Sequence, residues 1–419
     1  MLGIIERLNA IEHFKPNGKH RILTTEEKTI LRAVKRIEKR SETDEAGYSS
    51  RGKDSIPVCN FAIRPVGNVC NFACRYCFTR IHKPARRYFE TNMSIKLIER
   101  IMTQAAKYYS GRISMFWTGG EILLSNIKFL KEAIAIQKKI IRTKKHLKID
   151  NIVHTNATLL NKEWAAFFKQ NAFGVGISLD GPEDDHNRGR TYHDFSGTYK
   201  DVIRGIGILK QAKINFGANA TILPVHKRNP EVFLKTFLDL GITRLSVYPS
   251  MDEKMLLSPK ELADFMTGLF DAWLASSGRI SVRNFDDILY SLIGSKRRTT
   301  CQHSGECGSF PCIEPNGDVW ICDYPFTSDD YCLGNIADLN LPELFRSDKY
   351  KRFLKAKSEI YDRCSRSCAW FYVCRGDCLY RHTIRKQGFL APKSYYCRGL
   401  SGIYEHVISK FDRIITGCL

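Results

Sequence analysis

Between residues 58 and 276, six short apolar runs alternate with six helical patterns, and this alternation constrains the fold more than any other feature. The runs are NFAIRP (60–65), ISMFWTG (113–119), IDNIVH (149–154), FGVGISLD (173–180), INFGANATI (214–222) and TRLSVYP (243–249). Helical spacing of apolar residues recurs at about 94–109, 126–143, 161–171, 197–212, 229–240 and 258–276. Short buried strands separated by helices give parallel β/α units. Six units predict an α/β chain built on a partial (β/α)6 TIM barrel, whose chemistry collects at the C-terminal ends of the strands. Four unusual stretches fall at those ends: the cysteines from Cys70 onward, Gly119-Gly120-Glu121, TNAT at 155–158 and SLDG at 178–181.

The flanking regions read differently. Residues 1–57 predict a helical extension and a polar linker. In the extension Thr24 and Glu27 can form a capping box, and Ile30, Leu31, Val34 and Ile37 make one apolar stripe. Residues 277–300 bridge to a cysteine-rich module at 301–400, and 401–419 predict a C-terminal helix. Within the module, CIEPNGDVWICD reads as a hairpin turning at Asn316-Gly317, and LPELFRSDKYKRFLKA reads as helical. So small a module has little core of its own, and metal is expected to organise it.

The fifteen cysteines fall at 59–77 and 301–397, with Cys418 apart, and none lies between 78 and 300. No apolar run is long enough to span a membrane, and the N-terminus lacks a signal-peptide pattern, so a cytoplasmic protein is expected. In a reducing compartment clustered cysteines point to metal or catalysis rather than disulfides. The net charge of +21 suits an acidic partner, yet the basic residues are dispersed, and no basic–aromatic platform for nucleic acid stands out. Cys70, Cys74 and Cys77 have the spacing C-x3-C-x2-C. Three thiolates can hold three irons of a cubane and leave one coordination position open for a substrate or cosubstrate. A zinc site completed by His82 or a distant residue is the other reading, as zinc fingers are for the C-terminal module.

CNFACRYCF at 70–78 resembles the signature of the radical S-adenosylmethionine (SAM) superfamily. The resemblance continues in Gly119-Gly120-Glu121, which looks like that family's GGE motif, and in SLDG followed by His186 and Arg190. It implies that Cys70, Cys74 and Cys77 hold a [4Fe–4S] cluster and that SAM chelates its fourth iron. The cofactor-binding residues it implies are Tyr76 near the adenine, Gly119, Gly120 and Glu121 at the methionyl amino group, Asn156, Ser178, Asp180, and Arg190 at the carboxylate. Reductive cleavage of SAM would then yield a 5′-deoxyadenosyl radical, with the cofactor carrying the difficult step.

The C-terminal cysteines resemble the SPASM subfamily, whose members carry two auxiliary clusters and act on peptides or proteins. That implies Cys301, Cys307, Cys322 and Cys378 as ligands of one auxiliary [4Fe–4S] cluster. Cys364, Cys368, Cys374 and Cys397 would hold the other, making three clusters in all. Two features depart from the pattern: Cys364-x3-Cys368 is one residue longer than usual, and Cys312 is an extra candidate ligand. Cys59, Cys332 and Cys418 read as free or buried thiols. Asp323, directly after Cys322, matches the position of a proposed catalytic base, the other reading being a hairpin-end aspartate bonded to backbone.

The leading functional expectation is a maturase of ribosomal precursor peptides that installs an oxidative C–C, C–S or C–O crosslink. Its partners would be a precursor with an acidic leader segment and a reductant such as flavodoxin or ferredoxin. One alternative is an anaerobic sulfatase-maturating enzyme, which makes formylglycine from Cys or Ser. Against it stand the long segment before Cys70, Ile122 where GGEP is usual, and His154-Thr155-Asn156-Ala157 where QTNG is usual. Another is a non-catalytic iron–sulfur electron carrier or binding module.

Overall fold

The computed structural model describes residues 24–26, 28–30, 32–33, 60–77, 92–109, 111–224, 229–292, 300–324, 328–386 and 390–416. Cys59, Cys418, His82, Glu27, Leu31, Val34, Ile37 and the linker before residue 58 lie outside them. Six strands form where the sequence predicts them: β1 Asn60–Ile63, β2 Arg112–Trp117, β3 Lys148–Thr155, β4 Gly174–Ser178, β5 Phe216–Ile222 and β6 Arg244–Pro249. All neighbours among them pair in parallel. The six expected helices stand as Ile95–Tyr108, Ile127–Thr143, Lys162–Gln170, Tyr199–Gln211, Pro230–Asp239 and Pro259–Ala275. Polar caps mark their starts. Ser258, for example, exchanges hydrogen bonds with Glu261 in a capping box, with Pro259 as the first helical residue.

The period-two pattern of the strands sorts their two faces. Ile113, Met115 and Trp117 are fully buried toward the helices. Asn151, on the same outer face, bonds Trp117 Nε1 and exchanges amide hydrogen bonds with Gln137 of the helix Ile127–Thr143. The opposite face, lined by Phe116, His154, Gly176 and Asn219, encloses the barrel lumen.

Two features go beyond the six-unit expectation. The bridge contains a further parallel strand, β7 Ser281–Val282, on β6, and the helix Arg283–Leu292. A two-residue strand is too short to show a period. On the other edge, β8 Cys312–Ile313 pairs in parallel with β1, and β9 Asp318–Trp320 and β10 Cys332–Asn335 follow antiparallel. The hairpin turns at Asn316-Gly317 as expected, with Gly317 at φ 93°. The cysteine-rich module therefore continues the barrel sheet, giving the strand order β10-β9-β8-β1-β2-β3-β4-β5-β6-β7.

A buried ion pair locks that junction. Arg64 follows β1 and Glu314 follows β8, and Nη1 meets Oε1 at 3.0 Å with both side chains almost fully buried. Arg64 Nη2 also donates to Asn68 at 2.7 Å. Breaking one partner of such a pair leaves an uncompensated charge. Glu314→Ala is expected to destabilise the protein by about 3–5 kcal/mol. The double variant R64M/E314L should recover most of that loss, measured by anaerobic denaturant titration.

Downstream, the predicted single helical stretch is two helices, Leu341–Arg346 and Asp348–Ser367, divided at Ser347, whose hydroxyl caps the second. The second helix runs on through Cys364, and the Cys368 backbone N–H closes onto the Cys364 carbonyl at 3.0 Å. The extra residue in Cys364-x3-Cys368 is thus taken up as one helical turn, placing both thiols on the same face. The last helix begins four residues earlier than expected, at Cys397, and packs on Pro259–Ala275. There His406 bonds Asp271 at 2.9 Å. Of the leading extension, Thr29 is buried and donates to the Leu274 carbonyl at 2.7 Å.

Candidate functional site

The cysteine loop lies at the C-terminal end of β1, clamped from two sides by backbone. From β2, Gly120 N donates to Gly67 O at 2.7 Å and Glu121 N to Val69 O at 2.8 Å. From the segment after β4, Ala73 N and Arg75 N donate to the carbonyls of Thr191 and Gly189 at 2.7 and 3.0 Å. The glycine pair is a packing requirement: a Cβ on Gly120 would sit 1.9 Å from the Val69 carbonyl oxygen.

Glu121 is buried, and its carboxylate is fully engaged by the protein. Oε1 accepts from Leu123 N at 3.0 Å and Thr155 Oγ1 at 2.6 Å, and Oε2 accepts from Asn156 N at 2.7 Å. Burial raises its pKa, opposed by these donors. The carboxylate thus ties the β2 loop to the end of β3. Asn156 in turn donates to Asn71 Oδ1 at 2.8 Å, its Nδ2 lying 4.0 Å from Cys70 Sγ. Asn71 donates to Thr158 at 3.0 Å, closing a polar ring around the first cysteine.

Asp180 is the centre of a second network. It accepts from Arg190 Nε at 2.9 Å and Nη2 at 3.1 Å, from Thr221 N at 2.8 Å, and from the Tyr76 hydroxyl. Arg190 also covers the Tyr76 ring, 5.4 Å from its centroid. Burial pushes the Asp180 pKa up, but Arg190 and His186 outweigh it and hold the carboxyl below its ordinary value. Ser178 ends β4, partly exposed, opposite Asn219. Tyr76, Asp180 and Arg190 thus form one buried brace beneath the cysteine loop.

Cys70, Cys74 and Cys77 form no disulfide and lie close enough for their charges to act on one another. Burial pushes the Cys70 thiol up to about 12, and Cys74 higher still. Thiols placed this way have few protein donors, so their thiolate forms call for a cation such as iron. Among the described residues no three His, Cys, Asp or Glu side chains converge on a single ion. A cubane asks for something else, one thiolate per iron. The residues fit that group.

The module brings its cysteines together in two sets. Cys301, Cys307, Cys322 and Cys378 lie close enough for their charges to act on one another, Cys307 and Cys378 buried and Cys301 and Cys322 half-buried. Cys364, Cys368, Cys374 and Cys397 form the other set, nearer the surface. Cys312 stands outside both. It is fully buried in β8 against Ala62 and Trp320, near Arg64. Cys332 begins β10, partly buried. Asp323 is partly exposed beside Cys322, and its charge acts on Arg64 and on His154.

Sequence reasoning missed Arg64, Asn68 and Glu314, which join the two cysteine regions. A charged residue inside the apolar run NFAIRP was the available signal. It also gave no role to Thr155, Asn71 or Thr158, whose contacts are long-range.

Fold and site together define an iron–sulfur protein of the radical SAM class: a partial barrel with a three-cysteine loop on its rim, joined to a module carrying two cysteine quartets. The family model for the radical SAM superfamily matches residues 65–240, and that for the SPASM iron–sulfur cluster-binding domain matches 306–369. The cysteine-type anaerobic sulfatase-maturating enzyme of Clostridium novyi (strain NT) is 30% identical over 364 residues, spanning 84% of this chain and 96% of its own. That of Clostridium perfringens (strain ATCC 13124) is 29% identical over 373 residues, spanning 86% and 98%. Among solved structures, native anSMEcpe with bound AdoMet and Cp18Cys peptide superposes with a TM-score of 0.76 at 27% identity, over 85% of this chain and 99% of its own. The chain belongs to the family of anaerobic sulfatase-maturating enzymes, within the radical SAM superfamily. These relatives favour the formylglycine alternative over the crosslinking expectation. No helix among the described residues is long and apolar enough to cross a membrane.

Proposed function

We propose that the protein is a maturase that oxidises a Cys or Ser side chain of a peptide segment to formylglycine. The observation that carries this reading is the position of Asp323, next to Cys322 and within electrostatic reach of His154, in a chain alignable along most of its length with sulfatase maturases. Cys70, Cys74 and Cys77 would hold the SAM-binding cluster, and the two quartets would hold two auxiliary [4Fe–4S] clusters. When bound, cluster and SAM supply a 5′-deoxyadenosyl radical that removes a hydrogen atom from an unactivated carbon. Asp323 accepts the proton lost from the substrate thiol or hydroxyl as its Cβ is oxidised, and the remaining electron would pass to the auxiliary cluster that Cys301, Cys307, Cys322 and Cys378 would hold. The side chain thereby loses two hydrogens. A serine becomes the aldehyde directly, and a cysteine does so after water replaces sulfur. Glu121 and the Asp180 brace keep the cysteine loop fixed while the peptide enters the lumen.

The test is anaerobic incubation of iron-reconstituted protein with SAM, dithionite and the Cp18Cys peptide or its serine counterpart. The expected product is an aldehyde that reacts with a hydrazide probe, alongside 5′-deoxyadenosine. A product lacking two hydrogens but inert to hydrazide would instead indicate a crosslink. Absence of 5′-deoxyadenosine would leave only a binding or electron-carrying role.

A further inference from the structure

One polar side chain in the lumen is used by none of the networks above. His154 lies on β3 between Val153 and Thr155, both buried on the outer face, and its own ring opens into the lumen. Two neighbours set its position. The Phe116 ring meets it edge-on at 6.1 Å and itself packs on Phe310 at 4.8 Å, in the segment leading to β8. On the neighbouring strand Gly176 stands directly opposite. A Cβ there would approach His154 Cδ2 to 2.8 Å and Asn219 Nδ2 to 3.0 Å. The glycine therefore makes room for an imidazole and an amide side by side on one face. Among the described residues no hydrogen bond to the ring is seen. Asp323 and Arg283 are the charged groups that reach it, with opposite effects.

The ring's own surface is accessible, yet protein atoms crowd around it. Burial there lowers the His154 pKa below its ordinary value, Asp323 acting against this and Arg283 with it. A neutral imidazole can donate through one nitrogen and accept through the other. Hydroxyl and thiol side chains ask for that kind of partner.

We infer that His154 is a substrate-contacting residue that hydrogen-bonds the reacting hydroxyl or thiol in the lumen and holds it toward Asp323. This rests on the function proposed above. Phe116 and Gly176 set the position of the ring, and Asn219 offers a second polar contact on the same wall. The inference concerns recognition of the peptide side chain, and it assigns no role to His154 at the cluster or at SAM.

The experiment compares H154A and H154Q with the wild-type enzyme on the Cp18Cys peptide and its serine counterpart. Iron content and circular dichroism matched to wild type establish that each variant is folded. Loss of one neutral hydrogen bond is expected to raise the peptide KM of H154A about tenfold. The dissociation constant of the fluorescently labelled peptide should rise in parallel. More 5′-deoxyadenosine should form per peptide oxidised, because a loosely held side chain is not in place when the radical is generated. Gln can still donate and accept, so H154Q should recover KM to within about threefold of wild type. A merely structural histidine would not give that rescue or change the coupling ratio. An H154A enzyme with wild-type peptide affinity and wild-type coupling would overturn the inference. If the wild-type product proved to be a crosslink, the formylglycine reading would fall, while the affinity comparison would still decide the role of His154.

Discussion

Asp323→Asn in the iron-loaded enzyme is expected to lower peptide oxidation by about 10²–10⁴-fold while 5′-deoxyadenosine continues to form. The substitution keeps the size of the side chain and one hydrogen-bond acceptor, and removes its charge and its ability to take a proton. Asp323 stands apart from the groups that brace the SAM-side cysteines. The contacts of Glu121 run to Leu123, Thr155 and Asn156, and those of Asp180 to Tyr76, Arg190 and Thr221. Neither set includes Asp323, so radical generation and proton acceptance are separable by mutation. Both products can be quantified by mass spectrometry in one reaction, and their ratio is the informative quantity. Oxidation within about threefold of wild type would place the proton elsewhere and return Asp323 to a hairpin-end role.

The barrel was legible because its helices and strands obey local rules. The six runs differ from the observed strands by at most two residues at either end, since alternation and flanking caps are written in adjacent residues. The cysteine groups proposed to hold clusters stood out by their spacing, and the electrostatic interactions among the eight auxiliary candidates fall into two sets of four. What remained hidden depends on pairing across long sequence separations. Nothing in CIEPNG announces that Cys312 and Ile313 will add to the edge of β1, and the Arg64–Glu314 pair follows only from that pairing. The helix through Cys364 was cut short because a cysteine-dense stretch reads as loop, whereas its thiols sit at helical spacing. His154 was visible as a departure from a motif, but its place beside Gly176 is a property of sheet register.

Register also explains why Gly120→Ala is expected to be the most damaging single-methyl change in the barrel. The added Cβ would lie 1.9 Å from Val69 O, 2.5 Å from Val69 C and 2.8 Å from Asn68 C. All three are backbone atoms, so no rotamer change relieves the clash, and the two loops must separate. Separation breaks the bonds from Gly120 N to Gly67 O and from Glu121 N to Val69 O. Glu121 then leaves Thr155 and Asn156, and Asn156 is the residue that reaches Asn71 and Cys70. One methyl group therefore propagates along four contacts to the first iron ligand of the proposed cluster. Iron content should fall, and 5′-deoxyadenosine formation should drop by at least about 100-fold, on the order of two or three lost buried hydrogen bonds. Gly207→Ala is the matched control. Its Cβ would meet nothing within 4 Å on the helix Tyr199–Gln211. Alanine there is expected to stabilise the protein by up to about 1 kcal/mol with iron content intact. Should G120A bind iron and cleave SAM as the control does, the glycine pair would have to be there for the cofactor alone, and the loop-clamp account of this motif would be wrong.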